Sequence, residues 1–296
     1  MKNFLLLLAL ACCWGPSFLF MKIAVEYIPP ISIAAFRVVI AGVLLYLVLK
    51  VKGVSLPKNK KALKDFAFMG FFACAFPFSM FVIGEQYIDS SLASILNGTT
   101  PLFTLLIAHF AIQNDRLTKP KLIGSLIGFS GLFVLVAPKL VEATATAFGV
   151  LVILLAAASY GISLVYAKKN IHNYKPLVVP TAQLLFASLF LLPIAFIFEN
   201  PAATTNASIG AIASVVALAV IGTSLAFIFY FKLIATTSAT YTSSVTYIVP
   251  IFGMILGTIV LDEKLFWNHY LGSAIILLGI MIVNGVINKK MLKQFI

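Results

Sequence analysis

Arg37 sits about six residues into an apolar run, where a charge is costly and usually faces other helices or water. A guanidinium there can hold a carboxylate or phosphate through two parallel hydrogen bonds. It can also tie helix ends together through backbone carbonyls or a tyrosine, or snorkel to the nearby outer boundary. Trp14 and Ser17 form a second set, repeated by Tyr160 and Ser163. In each pair the aromatic precedes the serine by three residues, so the two share a helical face. Apolar area with a hydrogen-bonding tip suits an amphipathic ligand. The alternative is close helix packing through Gly15, Gly161 and the serines.

Two further stretches are polar inside otherwise apolar runs. Ser238–Pro250 carries eight hydroxyl side chains, among them Thr240, Ser243, Ser244 and Tyr247, which recur at helical spacing. Ser90–Pro101 matches it, with Asn97, Thr100, Pro101 and, one turn on, Thr104 across a broad face. Polar groups in hydrocarbon need partners, so these faces are expected to look at a polar cavity or at other helices. Pro101 and Pro250 cannot donate backbone hydrogen bonds, and they are the candidate gating points where a helix bends. Phe78, Phe81, Phe227 and Tyr230 are candidate aromatic walls, and Gln183 is the neutral counterpart of Arg37. Glu85 shares a face with Phe78 and Phe81 and is the candidate acid for ion coupling, against a reading as an ordinary interfacial carboxylate. His109 reads as structural. This is chemistry of binding and release. No GxxxxGK[ST], HExxH, GxSxG or CxxC occurs, so ATP-driven pumping, metal catalysis and acyl transfer have no support, and no cofactor or metal is expected.

The elements that carry these residues are dictated by composition. Of the 296 residues 61% are hydrophobic and 10% charged, against about a quarter charged in soluble domains. The bilayer must be the solvent. Ten apolar runs fit membrane helices, roughly 3–22, 31–49, 66–86, 91–112, 121–138, 147–167, 177–198, 208–231, 238–261 and 269–288. The net charge of +12 does not imply nucleic acid, because the basic residues fall in the short gaps between runs. With the N-terminus inside, 17 of the 21 basic residues lie inside and three (Lys22, Lys139 and Lys264) outside, with Arg37 in a helix. Both termini are therefore expected to be cytoplasmic, with the first run retained rather than cleaved as a signal peptide.

The halves resemble each other. Trp14-Gly15-Pro16-Ser17 with Lys22 aligns with Tyr160-Gly161-Ile162-Ser163 with Lys168, Pro30 with Pro176, and Arg37 with Gln183. Pro101 aligns with Pro250, Asp115-Arg116-Leu117 with Glu263-Lys264-Leu265, and Gly124 and Gly131 with Gly272 and Gly279. Five helices per half make the repeats inverted, over residues 1–140 and 141–296, framing a site near the midplane. On these motifs the chain resembles the ten-helix members of the drug/metabolite transporter superfamily that have two EamA domains. The resemblance implies an all-α inner-membrane permease, monomeric, that moves a small molecule. The first carboxylate of its motif is Asp115 here, while Glu263 keeps the usual glutamate. An acid in the first helix, which the small multidrug-resistance branch uses for protons, is missing. The expected function is alternating-access transport of a small amphipathic metabolite, an amino acid or derivative, outward, with facilitated exchange favoured over obligatory proton coupling. The rivals are an exchanger of nucleotide-containing or phosphorylated metabolites, which needs Lys22, Lys168 and Lys232 turned inward, and a multidrug exporter, which needs an acid such as Glu85. A lipid-modifying enzyme would need a nucleophile or metal set, and a scaffold would not need two matched polar faces.

Overall fold

A computed structural model describes residues 2–88, 93, 96–113, 117–142, 147–171, 173–175, 177–199, 207–252 and 266–283. The Asp115-Arg116 and Glu263-Lys264-Leu265 segments, Pro176 and the 200–206 turn lie outside them. Every regular element among the described residues is helical. Among the described residues six helical stretches are long and apolar enough to cross a membrane: Lys2–Val25, Pro30–Val51, Lys60–Gly84, Ala147–Asn170, Val178–Phe198 and Ile209–Thr236. Thr100–Ala111 and Tyr270–Val283 are shorter and equally apolar. Large apolar side chains stand exposed along them; Phe110 is 86% exposed, Phe198 76% and Ile209 88%. Such surfaces are stable against lipid and not against water. The chain is an α-helical integral membrane protein.

Local sequence sets the breaks. The first run is two helices, α1 (Lys2–Trp14) and α2 (Ser17–Val25), because Pro16 supplies no N–H to continue the ladder. Helix α3 (Pro30–Val51) opens on a proline in its first turn, where the missing N–H costs nothing. Asn59 caps α4 (Lys60–Gly70) by accepting from the Ala62 N–H at 2.8 Å. A π-helical turn, Phe71–Ala75, then joins α4 to α5 (Phe76–Gly84). The chain continues through α6 (Thr100–Ala111), α7 (Lys119–Glu142), α8 (Ala147–Asn170) and α9 (Val178–Phe198). Ser208 caps α10 (Ile209–Ala219), and a second π-helical turn, Val220–Leu225, leads into α11 (Ala226–Thr236). Ser238 caps the short α12 (Ala239–Ser243); a turn at Ser244 precedes helical residues 245–252, and α13 spans Trp267–Val283.

Pairing follows residue size. Helices α7 and α13 approach until a β-carbon on Gly279 would stand 2.4 Å from the Gly128 nitrogen and 2.6 Å from the Gly124 oxygen. Only paired glycines permit that separation, and dispersion contacts between the backbones replace a hydrophobic drive that lipid cannot supply. Helices α3 and α9 pair along their length, α5 and α6 both lie on α8, and α10 lies on α2. At the end of the bundle carrying Lys61, Asp65 is buried and accepts from Lys61 Nζ at 2.8 Å, Tyr166 Oη at 2.7 Å and Tyr174 Oη at 2.6 Å. That network ties α4 to α8 and the loop after it. Burial and the adjacent Asp65 carboxylate push the Tyr174 phenol above its ordinary range.

Candidate functional site

The helices border a central cavity of about 80 Å³. Ten of the twelve candidate binding residues border it. Trp14 and Ser17 come from α1 and α2, Arg37 from α3, Phe78 from α5, and Asn97 and Thr100 from the start of α6. Tyr160 and Ser163 come from α8, Tyr230 from α11 and Ser243 from the end of α12. Sequence separations of up to about 230 residues are thus folded into one wall. Phe81 and Phe227 join them; Phe18, Met21, Thr242 and Thr246 also line the cavity and were not anticipated. A signal existed for two of these, because Phe18 and Met21 follow Trp14 at four and seven residues, on one helical stripe.

Two candidates stand elsewhere. Gln183 is wholly buried where α9 crosses Gly70, and neither side-chain polar atom has a hydrogen-bond partner among the described residues. Tyr247 is wholly buried against α7, its hydroxyl donating to the Ser125 carbonyl at 3.0 Å and its ring lying on Gly128. The cavity stripe on this segment is Thr242, Ser243, Thr246 and Val249, and Tyr247 lies about 100° round the helix from Thr246. The prolines flank the cavity without lining it. Pro101 sits in the first turn of α6, so the break falls before it, at Gly98 and Thr99. Pro250 is buried within helical residues 245–252. His109 accepts from the Leu117 N–H at 3.2 Å, a local structural role.

The polar faces work differently from a simple glue between helices. Thr100 Oγ1 donates to the Asn97 carbonyl at 2.7 Å, Ser243 Oγ to that of Thr240 at 3.0 Å and Thr246 Oγ1 to that of Ser243 at 2.9 Å. These hydroxyls satisfy carbonyls of their own helix around the breaks, which keeps irregular backbone tolerable in a dry interior. The π turns are served likewise. Thr223 Oγ1 donates to the Leu218 carbonyl at 2.8 Å, Ser224 Oγ to that of Ala219 at 2.9 Å, and Ser159 Oγ reaches across to that of Phe72 at 2.7 Å.

Arg37 is the cation of the cavity. It is 6% exposed. Its Nε donates to Thr223 Oγ1 at 2.7 Å and its Nη2 to the Gly222 carbonyl at 3.1 Å, both on the second π turn. The guanidinium carbon lies 4.0 Å from the Phe78 ring centroid. These bonds use two of five N–H donors. Among the described residues the salt bridge is Lys61–Asp65, so Arg37 has no carboxylate counter-ion among them. Trp14 Nε1 shares the Gly222 carbonyl at 3.1 Å, and its ring lies 5.6 Å from Tyr230. Tyr160 stacks on Phe81 at 5.7 Å. The Ser17 hydroxyl is buried and has no partner among the described residues.

Glu85 caps α5 one turn beyond Phe81. It is 1% exposed, and neither carboxyl oxygen has a hydrogen-bond partner among the described residues. The charged group whose field acts on it is Lys22, on α2.

The arrangement can hold a small ligand between aromatic faces, hydroxyls and one guanidinium. It presents no nucleophile–base pair, and no metal-holding cluster of His, Cys, Asp or Glu occurs among the described residues. The EamA-like transporter family matches residues 1–137 and 147–285. The chain belongs to the EamA-like transporter family. Similar proteins match most of its length. The uncharacterized transporter YoaV of Bacillus subtilis is 27% identical over 281 residues, 94% of this chain and 95% of that one. An uncharacterized transporter of Archaeoglobus fulgidus is 25% identical, covering 96% and 99%. The uncharacterized inner membrane transporter YedA of Escherichia coli is 28% identical, covering 94% and 89%. A crystal structure at 17% identity superposes with a TM-score of 0.80 over 96% of this chain and 97% of that one, which establishes the shared fold. This EamA protein is a membrane transporter.

Proposed function

We propose that this EamA transporter moves a small amphipathic metabolite carrying one carboxylate, an amino acid or a derivative, outward across an inner membrane by alternating access. The observation that carries the reading is Arg37, a buried cation on a cavity wall with no carboxylate partner among the described residues. A buried charge left uncompensated is unfavourable, and a substrate carboxylate would supply the missing counter-charge. Trp14, Tyr160 and Tyr230 would flank the apolar part, and Asn97, Thr100, Ser163 and Ser243 its polar groups. One cation suits one negative charge better than the phosphates of a nucleotide-containing substrate.

The cavity volume supports a moving site. About 80 Å³ is below the few hundred Å³ that hold small molecules elsewhere, so loading requires the walls to part. The π turns at Phe71–Ala75 and Val220–Leu225 begin 149 residues apart, the separation of Pro101 and Pro250. That correspondence supports ten spans in two inverted repeats, with both termini cytoplasmic, and gives each repeat one weak point on which to bend. Glu85 is the proton carrier in this proposal. An ionised carboxylate without partners is costly to bury, which favours a coupled step over the facilitated exchange expected from the few carboxylates in the sequence.

The test is counterflow in liposomes holding purified protein, with a panel of amino acids and related metabolites. A transported compound whose flux collapses in both Asn97→Ala and Ser243→Ala, while both variants remain folded, supports the cavity as the binding site. Undiminished flux in both variants rejects it.

A further inference from the structure

The geometry points to a second binding site, for an anionic glycerophospholipid, in a cavity of about 740 Å³ where four membrane helices end. The walls are the C-terminal ends of α3, α8 and α11 and the N-terminal start of α9. These are termini of the spans Pro30–Val51, Ala147–Asn170, Ile209–Thr236 and Val178–Phe198, so the cavity lies where hydrocarbon gives way to headgroups. It is separate from the central cavity. On α11 the central cavity takes Phe227 and Tyr230, whereas this one takes Ile228, Phe231 and Lys232 on another face.

Its charge has one sign. Lys52, Lys168, Lys175 and Lys232 border it, and no Asp or Glu among the described residues does. Asp65 is the acid nearby, on the far side of Tyr174, where it is paired with Lys61 and bonded to two phenols. Three helix C-termini converge here, each equivalent to roughly half a negative charge. Four ammonium groups outweigh them. Lys168 is already fixed, donating to the Ile234 carbonyl at 2.7 Å and the Thr237 carbonyl at 2.5 Å, so it forms a built-in positive wall. Lys52, Lys175 and Lys232 are exposed around the mouth. Leu177, which also lines it, holds a φ of 67°, a left-handed conformation that is strained for a non-glycine residue.

The remaining walls decide between a soluble anion and a lipid. Twelve of the sixteen lining residues carry no charge, and apart from Tyr174 these are apolar, including Leu49, Ile171 and Phe231. Ile228 is 37% exposed, so this wall presents apolar surface beyond the bundle core. A free phosphate would use the lysines and leave the apolar surface idle. A phospholipid satisfies both, its phosphate among the lysines and its first acyl methylenes along Ile228 and Phe231. Basic pockets between membrane helices at this level recognise such headgroups. The site would make transporter stability depend on lipid composition.

The test uses the whole protein, purified and placed in nanodiscs of phosphatidylcholine with or without phosphatidylglycerol. Native mass spectrometry reads the lipids retained. The wild type is expected to retain phosphatidylglycerol in preference to phosphatidylcholine, and rising salt is expected to erase the preference. Each exposed lysine contributes about fivefold, so a Lys52→Gln, Lys175→Gln, Lys232→Gln variant should lose about a hundredfold of that preference. Its unfolding temperature in pure phosphatidylcholine should be unchanged, since none of the three residues is buried. Equal retention of the two lipids by the wild type, or an unaltered preference in the variant, overturns the proposal. Displacement of retained phosphatidylglycerol by an equal concentration of glycerol phosphate also overturns it, because the site would then read a soluble anion. The salt series on the wild type decides the matter even if the variant fails to fold.

Discussion

Replacing Arg37 by lysine separates binding from scaffolding. The substitution keeps the charge and removes the planar fork. The guanidinium now bridges Thr223 Oγ1 at 2.7 Å and the Gly222 carbonyl at 3.1 Å while facing the cavity. An ammonium cannot hold both and still meet a carboxylate through two parallel bonds. A hydrogen bond to a charged group contributes about 1.5–3 kcal/mol. Losing one of a pair should weaken a carboxylate-bearing substrate by about 2 kcal/mol, about thirtyfold in affinity. The assay is the concentration dependence of counterflow for an amino acid and for the matching amine that lacks the carboxylate. Arg37→Lys should weaken the first about thirtyfold and leave the second nearly unchanged. Thr223→Val provides the control. It removes the partner of Nε but no group assigned to the substrate, so it should cost stability, about 1–3 kcal/mol, and leave the discrimination intact. Equal weakening of both compounds by Arg37→Lys, or none, would refute the argument and leave Arg37 as a clamp on the second π turn.

The remaining predictions address coupling and packing. Glu85→Gln fixes the neutral shape of a carboxyl whose two oxygens have no partners among the described residues; it should preserve counterflow at equal pH and abolish flux driven by a pH gradient, and gradient-driven flux at wild-type level would remove Glu85 from the mechanism. Gly279→Ala places a methyl 2.4 Å from the Gly128 nitrogen, against backbone that cannot swing aside; α7 and α13 must separate, at a cost of about 1–3 kcal/mol, and an unchanged unfolding temperature would show that the pair is looser than described.

Class and inventory were legible without coordinates. The ratio of apolar to charged residues forces a membrane solution, because no soluble core could bury so many apolar side chains. Arg37, the aromatic–serine pairs and the two polar stretches stood out because hydrocarbon penalises each of them. The pairs Trp14–Ser17 and Tyr160–Ser163, read from their three-residue spacing, all line the cavity. Contacts between distant segments were beyond its reach. Gln183, aligned with Arg37, lies at a helix crossing beside Gly70, and Tyr247 turns to Ser125 and away from the cavity. Neither orientation follows from its own helix, because the neighbour's glycines decide which face can approach. The π turns leave no signature in Phe71–Ala75 or Val220–Leu225. An extra residue in a helical turn is tolerated only if other groups meet the displaced carbonyls; Thr223 and Ser224 do so from within the second turn, whereas Ser159 and Arg37 come from other helices. Asp65 passed unnoticed in the sequence for a related reason. A lone acid among lysines looks solvated until Tyr166 and Tyr174, about a hundred residues away, close over it. Solvent, helices and the available chemistry follow from composition and spacing, since those depend on each residue's own transfer energy and position along the chain. Which groups share a cavity, that Arg37 meets no carboxylate among the described residues, and where four lysines gather were settled by tertiary packing, because those depend on distances between residues far apart in the chain.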